Sequence, residues 1–238
     1  METIKERRYK NMEHLAKKFT LLLVALLLST SVLAQELKPV IDSPSKYRKI
    51  DTKSKLALEW GIKGVGVGNI IFSSKELPMG EEDKYGDIRD TFYFGKDTSI
   101  HCRAYYPGTI RSLIKIVESQ VKNAKFVKQW AIMTVTSERK DIEAKMSFTE
   151  ESLDWDTQRF DLLPFVGGDD QDFNDINLSD ENILEKGENA VEIKVFLRFQ
   201  TGTKLVTRVE GNEVVTREEP VYTDYLIANG EFKYIVGK

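Results

Sequence analysis

The chain reads as mainly β: an antiparallel β-sandwich, Ig-like or jelly-roll-like, with one or two short helices. Three observations predict this. In the C-terminal quarter Val191, Ile193, Val195, Leu197 and Phe199 alternate with Glu192, Lys194, Phe196, Arg198 and Gln200, the period-two pattern of a strand with one buried face. The glycine-bearing pairs Thr201-Gly202, Gly211-Asn212 and Asn229-Gly230 then punctuate the remainder at short intervals. Across the whole chain, about eight to ten short β-forming runs separated by turn residues suggest two packed antiparallel sheets, with a closed barrel as the alternative.

The first 34 residues read as a signal peptide. A basic stretch ending in Lys17-Lys18 leads into an apolar run over 19–28, and Val32-Leu33-Ala34 supplies small residues at a cleavage site before Gln35. A spanning helix needs about 20 apolar residues, and this run is ten long. Met12 is a second candidate start, because the n-region from Met1 is long. No cysteine stands at the cleavage point, which argues against a lipid anchor. The expected location is therefore outside the cytoplasm, periplasmic or extracellular, with no stable membrane span after cleavage.

The segment carries six Lys/Arg and three Asp/Glu. Its removal takes 35 basic and 38 acidic side chains down to 29 and 35, a net charge of −6 over 204 residues. That balance argues against nucleic acid, which needs a clustered positive surface. The expected partner is a protein or a glycan of unknown identity. The length is enough for a single β domain over 58–238 with a sizeable core. Residues 35–57, polar and carrying Pro39 and Pro44, read as a linker or N-terminal arm.

From there the elements follow in order. Gly64, Gly66 and Gly68 lead into Asn69, Ile70, Ile71 and Phe72. A phosphate-cradling loop must open a helix, and these glycines run into β formers, so they read as a strand with close backbone approach. Residues 91–94 and 99–106 give two more strands. In the second, Ile100, Cys102, Ala104 and Tyr106 form the apolar face. Thr109 caps a helix whose Ile110, Leu113, Ile114, Val117 and Val121 form one stripe. Residues 128–137, 143–148 and 157–163 read as strands. Residues 167–182 read as an acidic loop, and Ser179 caps a short turn that Gly187 ends. At Asn229-Gly230, a pair able to accept positive φ at both turn positions, a two-residue hairpin would place Ile227 opposite Phe232 and Tyr225 opposite Tyr234. The same construction at Thr201-Gly202 places Arg208 opposite Val195, which points to a projecting hairpin or a longer turn.

The supply of chemistry is short. Cys102 is the sole cysteine and reads as a small buried hydrophobe. His101 is the one histidine after processing and reads as solvent-facing. As neighbours on a strand, His101 and Cys102 point to opposite faces and form no dyad. Zinc sites built on several His or Cys ligands are excluded by supply. No catalytic residue is selected, and abundant carboxylates single out no glycosidase pair. The one metal constellation is calcium: Asp170, Asp172, Asn174 and Glu181 fall at the first, third, fifth and twelfth positions of a calcium loop, with Asp175 at the sixth. Asp175 stands where that loop turns on glycine, so an irregular loop site with Asp169 and Asp180 is the expected form. Asn177-Leu178-Ser179 matches a glycosylation sequon.

Gly68-Asn69-Ile70-Ile71-Phe72-Ser73, Thr91-Phe92-Tyr93-Phe94-Gly95 and Ile100-His101-Cys102-Arg103-Ala104-Tyr105-Tyr106 resemble strands of uncharacterised exported bacterial β-sandwich proteins. The resemblance covers part of the chain and implies no activity, cofactor or catalytic residue. Leu33-Ala34-Gln35 resembles the processing site of Bacteroidetes-type signal peptides. The expectation is an exported, non-enzymatic binding or structural protein without a cofactor, with Tyr93, Tyr105, Tyr222, Tyr225 and Tyr234 as candidates for an aromatic binding surface. The alternative is a calcium-dependent carbohydrate-binding or glycan-acting protein that uses the loop over 169–181.

Overall fold

Among the described residues, alternation of β-forming residues produces eight strands, and their neighbours decide which faces are buried. They are β1 (Gly68–Ser73), β2 (Thr91–Tyr93), β3 (Ile100–Tyr105), β4 (Lys125–Thr136), β5 (Asp141–Ser147), β6 (Thr157–Leu163), β7 (Gly187–Glu210) and β8 (Glu213–Val236). Among the described residues two α-helices accompany them, α1 (Lys55–Trp60) and α2 (Ile110–Gln120). The computed structural model describes residues 37–41, 45–148, 153–163, 173, 176–180, 184–211 and 213–237. Contacts divide the chain after Leu37, and every element belongs to the unit Lys38–Lys238.

The molecule is mainly β, as the alternation predicts, but its strands form one sheet rather than two. The order is β5-β4-β7-β8-β1-β3-β6, with β2 also pairing β8. It is a curled, mixed half-barrel, not an antiparallel sandwich. The antiparallel rule fails along one edge of β8. There β1 pairs in parallel at Ala228 and Asn229, and β2 in parallel from Lys233 to Ile235. Register shifts in the β7–β8, β4–β7 and β3–β6 pairings insert extra residues, and bulges of this kind bend and twist a sheet.

The anticipated hairpin at Asn229-Gly230 does not form. β8 runs straight through it, pairing Asn229 with Lys194 and Gly230 with Ile193 of β7. Gly230 serves close approach instead of a turn. A Cβ there would lie 2.7 Å from Ile70 Cβ and 2.9 Å from Ile70 O. Thr201-Gly202 is not a turn either; it lies inside β7 at a register shift between Gln200 and Gly202. The chain reverses at Gly211, whose φ of 64° is the left-handed geometry that glycine accepts freely. Pairing from Glu210 with Glu213 upward makes β7 and β8 one hairpin of two 24-residue strands.

One continuous apolar cluster fills the main core. It joins Ala131, Met133 and Val135 of β4 with Val191, Ile193, Val195, Leu197 and Phe199 of β7. Of the helix stripe predicted after Thr109, Ile110, Leu113 and Val117 are buried in it and Ile114 and Val121 pack against it half-buried, while Ile116, outside that stripe, is buried with them. Thr109 is the N-cap, accepting from the Ser112 N–H. Phe173, Ile176 and Leu178 are buried in the same cluster. A smaller cluster, Ala57, Val67, Phe196 and Leu226, brings α1 against the sheet. Among the described residues no helix is long and apolar enough to cross a membrane.

Candidate functional site

Strand β3 is buried on both faces. Ile100, Cys102 and Ala104 enter the core as their alternation predicts. His101, Arg103 and Tyr105 share the opposite face, and that face is covered too, so the expectation of a solvent-facing His101 is corrected: it is 8% exposed. The register with β6 sets His101 opposite Asp161, Arg103 opposite Arg159 and Tyr105 opposite Thr157, which places six polar side chains on one surface.

Two segments roof this surface. Residues 45–51 run beside β1: Lys49 N–H donates to Asn69 Oδ1 at 2.7 Å, Asn69 Nδ2 donates to Tyr47 O at 3.0 Å, and Asp51 and Val67 exchange two backbone hydrogen bonds of 2.8 Å. Gly66 permits that contact, since a Cβ would sit 2.4 Å from Asp51 O. The second segment follows β1. Ser73 Oγ donates to Gly86 O at 2.9 Å, Tyr85 OH donates to Pro78 O at 2.6 Å, and a 3-10 turn spans Glu82–Lys84. Tyr47 and Tyr85 stack with centroids 5.4 Å apart and join the two segments.

Between roof and sheet lies a cavity of about 520 Å³ lined by Arg48, Met79, Gly80, Glu82, Asp83, Arg103, Tyr105 and Thr157. A neighbouring chamber of about 310 Å³ shares Met79, Arg103 and Thr157 and adds Trp155, Gln158, Arg159, Phe160 and Asp161. Three arginines meet here, and they are not balanced alike. Arg48 is paired with Asp156 at 2.8 Å, both side chains almost fully buried, and its guanidinium lies over the Tyr105 ring. Arg159 is held by Asp161 at 3.0 Å and faces Glu76 at 3.6 Å.

Arg103 differs from both. It is 3% exposed, and it donates from Nε and Nη2 to the Leu77 carbonyl and from Nη1 to Thr157 Oγ1 at 3.3 Å. All its hydrogen-bond partners are neutral, and no carboxylate pairs with it among the described residues. A buried cation lacking an anion is costly, by several kcal/mol on the order-of-magnitude scale for ions taken out of water. The directly opposed Arg159 adds like-charge repulsion. The Arg103 guanidinium thus has no paired counter-charge among the described residues.

The surrounding groups respond to this environment. Burial pushes the Tyr85 hydroxyl up, with the Arg103 charge pulling the other way. Burial also raises Tyr105, whose hydroxyl donates to Glu82 Oε1 at 3.0 Å. At Asp161 burial works against ionisation, but the Arg159 and His101 hydrogen bonds outweigh it and hold the carboxyl below its ordinary value. His101 Nδ1 lies 2.7 Å from Asp161 Oδ1, an N–H donating to a carboxylate.

The calcium candidates Asp170, Asp172, Asn174, Asp175 and Glu181, with Asp169, lie outside the described residues. Among the described residues no three His, Cys, Asp or Glu side chains gather to hold a metal ion. Asp180 N–H donates to Asn177 O at 3.0 Å, and Asn177 Oδ1 accepts from Ser179 N at 2.9 Å. Residues 181–183 of the turn predicted after Ser179 are likewise outside the described residues. The five tyrosines do not form one surface. Tyr105 and Tyr234 are buried, Tyr225 is half-buried, and Tyr93 and Tyr222 are exposed on different parts of the sheet.

Sequence reasoning separated the polar and apolar faces of β3 but did not single out Arg48, Arg103 or Arg159. The signal was the polar spacing His101-x-Arg103-x-Tyr105 facing Arg159-x-Asp161. No family model, curated protein or solved structure matches the chain.

Proposed function

We propose that this chain is an exported, non-enzymatic binding protein whose ligand carries an anionic group seated on Arg103. Export rests on the basic, apolar and small-residue progression of the first 34 residues. Binding rests on one observation: a nearly fully buried guanidinium, hydrogen-bonded only to neutral oxygens, lining a cavity of about 520 Å³. Pockets with a few convergent polar groups are the usual ligand sites of proteins. An anion that supplies the absent counter-charge gains a charge-assisted interaction in a water-poor setting.

Thermal shift at constant ionic strength, with acetate, sulfate, phosphate and glucuronate each set against chloride, tests this. At least one anion raises the melting temperature of the wild-type protein, and Arg103→Gln abolishes that rise. Equal shifts in both proteins, or none in either, would overturn the proposal. The reading of export is tested by N-terminal sequencing of the secreted chain, which should begin at Gln35.

A further inference from the structure

The cavity that holds Arg103 also holds charges of the opposite sign. Glu82 and Asp83 line it. The Glu82 carboxylate accepts one hydrogen bond from Tyr105 OH, and among the described residues neither Glu82 nor Asp83 has a cationic partner within ion-pair distance. The adjacent Lys84 is engaged by Glu81 at 3.0 Å. One cavity therefore presents a cation and two carboxylates that do not reach one another.

This arrangement discriminates among anions. A simple phosphate or sulfate would satisfy Arg103 and be repelled by Glu82 and Asp83. A molecule with a carboxylate at one end and a hydrogen-bond-donating cation at the other satisfies both. Building on the reading of the cleft as an anion site, we infer that the ligand is an amino-acid-type zwitterion, a free amino acid or a short peptide. Its carboxylate sits on Arg103 and its ammonium faces Glu82 and Asp83. Capture of a C-terminal carboxylate or an N-terminal amine is a recurring mode of peptide recognition, and charged hydrogen bonds are the strong ones. The chamber of about 310 Å³ that opens past Met79 is lined by Trp155, Gln158, Arg159 and Asp161. It receives the side chain or the next residue.

The test is a thermal-shift screen of the purified protein against the twenty amino acids, dialanine and trialanine, followed by calorimetric titration of the strongest binder. The same titrations use that binder's N-acetyl derivative, which keeps the anion alone, and its decarboxylated amine, which keeps the cation alone. Each charge deletion is expected to weaken binding by about tenfold or more, the scale of one charged hydrogen bond. The double variant Glu82→Gln/Asp83→Asn should lose the zwitterion to the same degree and hold the N-acetyl compound unchanged. Glu82 and Asp83 lie on the roof turn outside the core, so this variant tests charge without removing packing.

If the N-acetyl compound or an inorganic anion binds as well as the zwitterion, still depends on Arg103 and ignores the double variant, this inference is wrong and the anion site stands. If no amino acid or peptide binds, the inference falls. If no anion of either panel binds through Arg103, both fall.

Discussion

The hairpin of β7 and β8 is one continuous ribbon whose two halves have opposite fates. In the base, Val191, Ile193, Val195, Leu197 and Phe199 of β7 are fully buried, as are Leu226, Ile227 and Ala228 of β8. Toward the turn, Leu205, Val209 and Val214 are each 70% exposed or more. The half toward the turn is richer in charge, with Lys204, Arg208, Arg217, Glu218 and Glu219 among its residues, yet it still carries the β formers Leu205, Val206, Val209, Val214 and Val215. The antiparallel pairing runs through both halves, with Val209 opposite Val214 and Thr207 opposite Thr216.

The company differs as well. β4 flanks β7 as far as Gln200, and β1 and β2 flank β8 from Ala228 onward. Past those points the described strands pair only with each other. Two strands alone are marginal in water, and a third strand or a covering layer is what makes a buried face. The stability of the ribbon should therefore be concentrated in its base.

Five substitutions probe this contrast. The largest effect is expected for Phe232→Ala in the base. The Phe232 ring is 1% exposed and meets Phe72, Phe92 and Tyr234 at centroid distances of 4.8, 5.3 and 6.5 Å. Emptying that site should cost about 3–5 kcal/mol in urea unfolding. A cost below about 1.5 kcal/mol, the scale of a well-tolerated core swap, would break the idea that the base is the stabilised half.

Glycines give an intermediate, paired test. Gly230→Ala forces a methyl against Ile70 and should cost about 1–3 kcal/mol, the usual penalty of overpacking. Gly202→Ala meets nothing within 4 Å. It should be neutral or add up to about 1 kcal/mol by restricting the unfolded chain. If the two changes had equal effects on the melting temperature, the contrast between the halves would be lost.

The smallest effects belong to the exposed half. Leu205→Ala and Val209→Ala should each change stability by no more than about 0.5 kcal/mol. Hydrogen exchange would sharpen the point. Amides over 203–209 should exchange through local opening, and those over 191–197 only through global unfolding. Strong protection over 203–209 in the isolated protein would mean that something else covers this half.

Much of the fold was legible because its signals are local. The Val191 alternation, the Thr109 cap with its apolar stripe, and the apolar face of β3 each follow from backbone periodicity and short-range hydrogen bonding. Asn229-Gly230 misled because turn chemistry describes what a pair can do, and a neighbouring strand removed the choice. β1 approaches so closely that position 230 tolerates no side chain. The glycine met a packing demand that is invisible without knowing that β1 lies there. The same holds for the site. Arg103 on a polar strand face reads as an ordinary solvated cation until residues 77–85 are known to fold over it.

By itself the sequence determined the secondary structure class, the position of most strands and of α2, and the apolar faces of β3 and β7. These depend on residues within a few positions of one another. Tertiary structure alone decided that the strands join in a single mixed sheet, where the long ribbon loses its cover, and that Arg103 is sealed beneath a roof with carboxylates across a gap. Those outcomes arise from contacts between segments distant along the chain, whose energies no local pattern encodes.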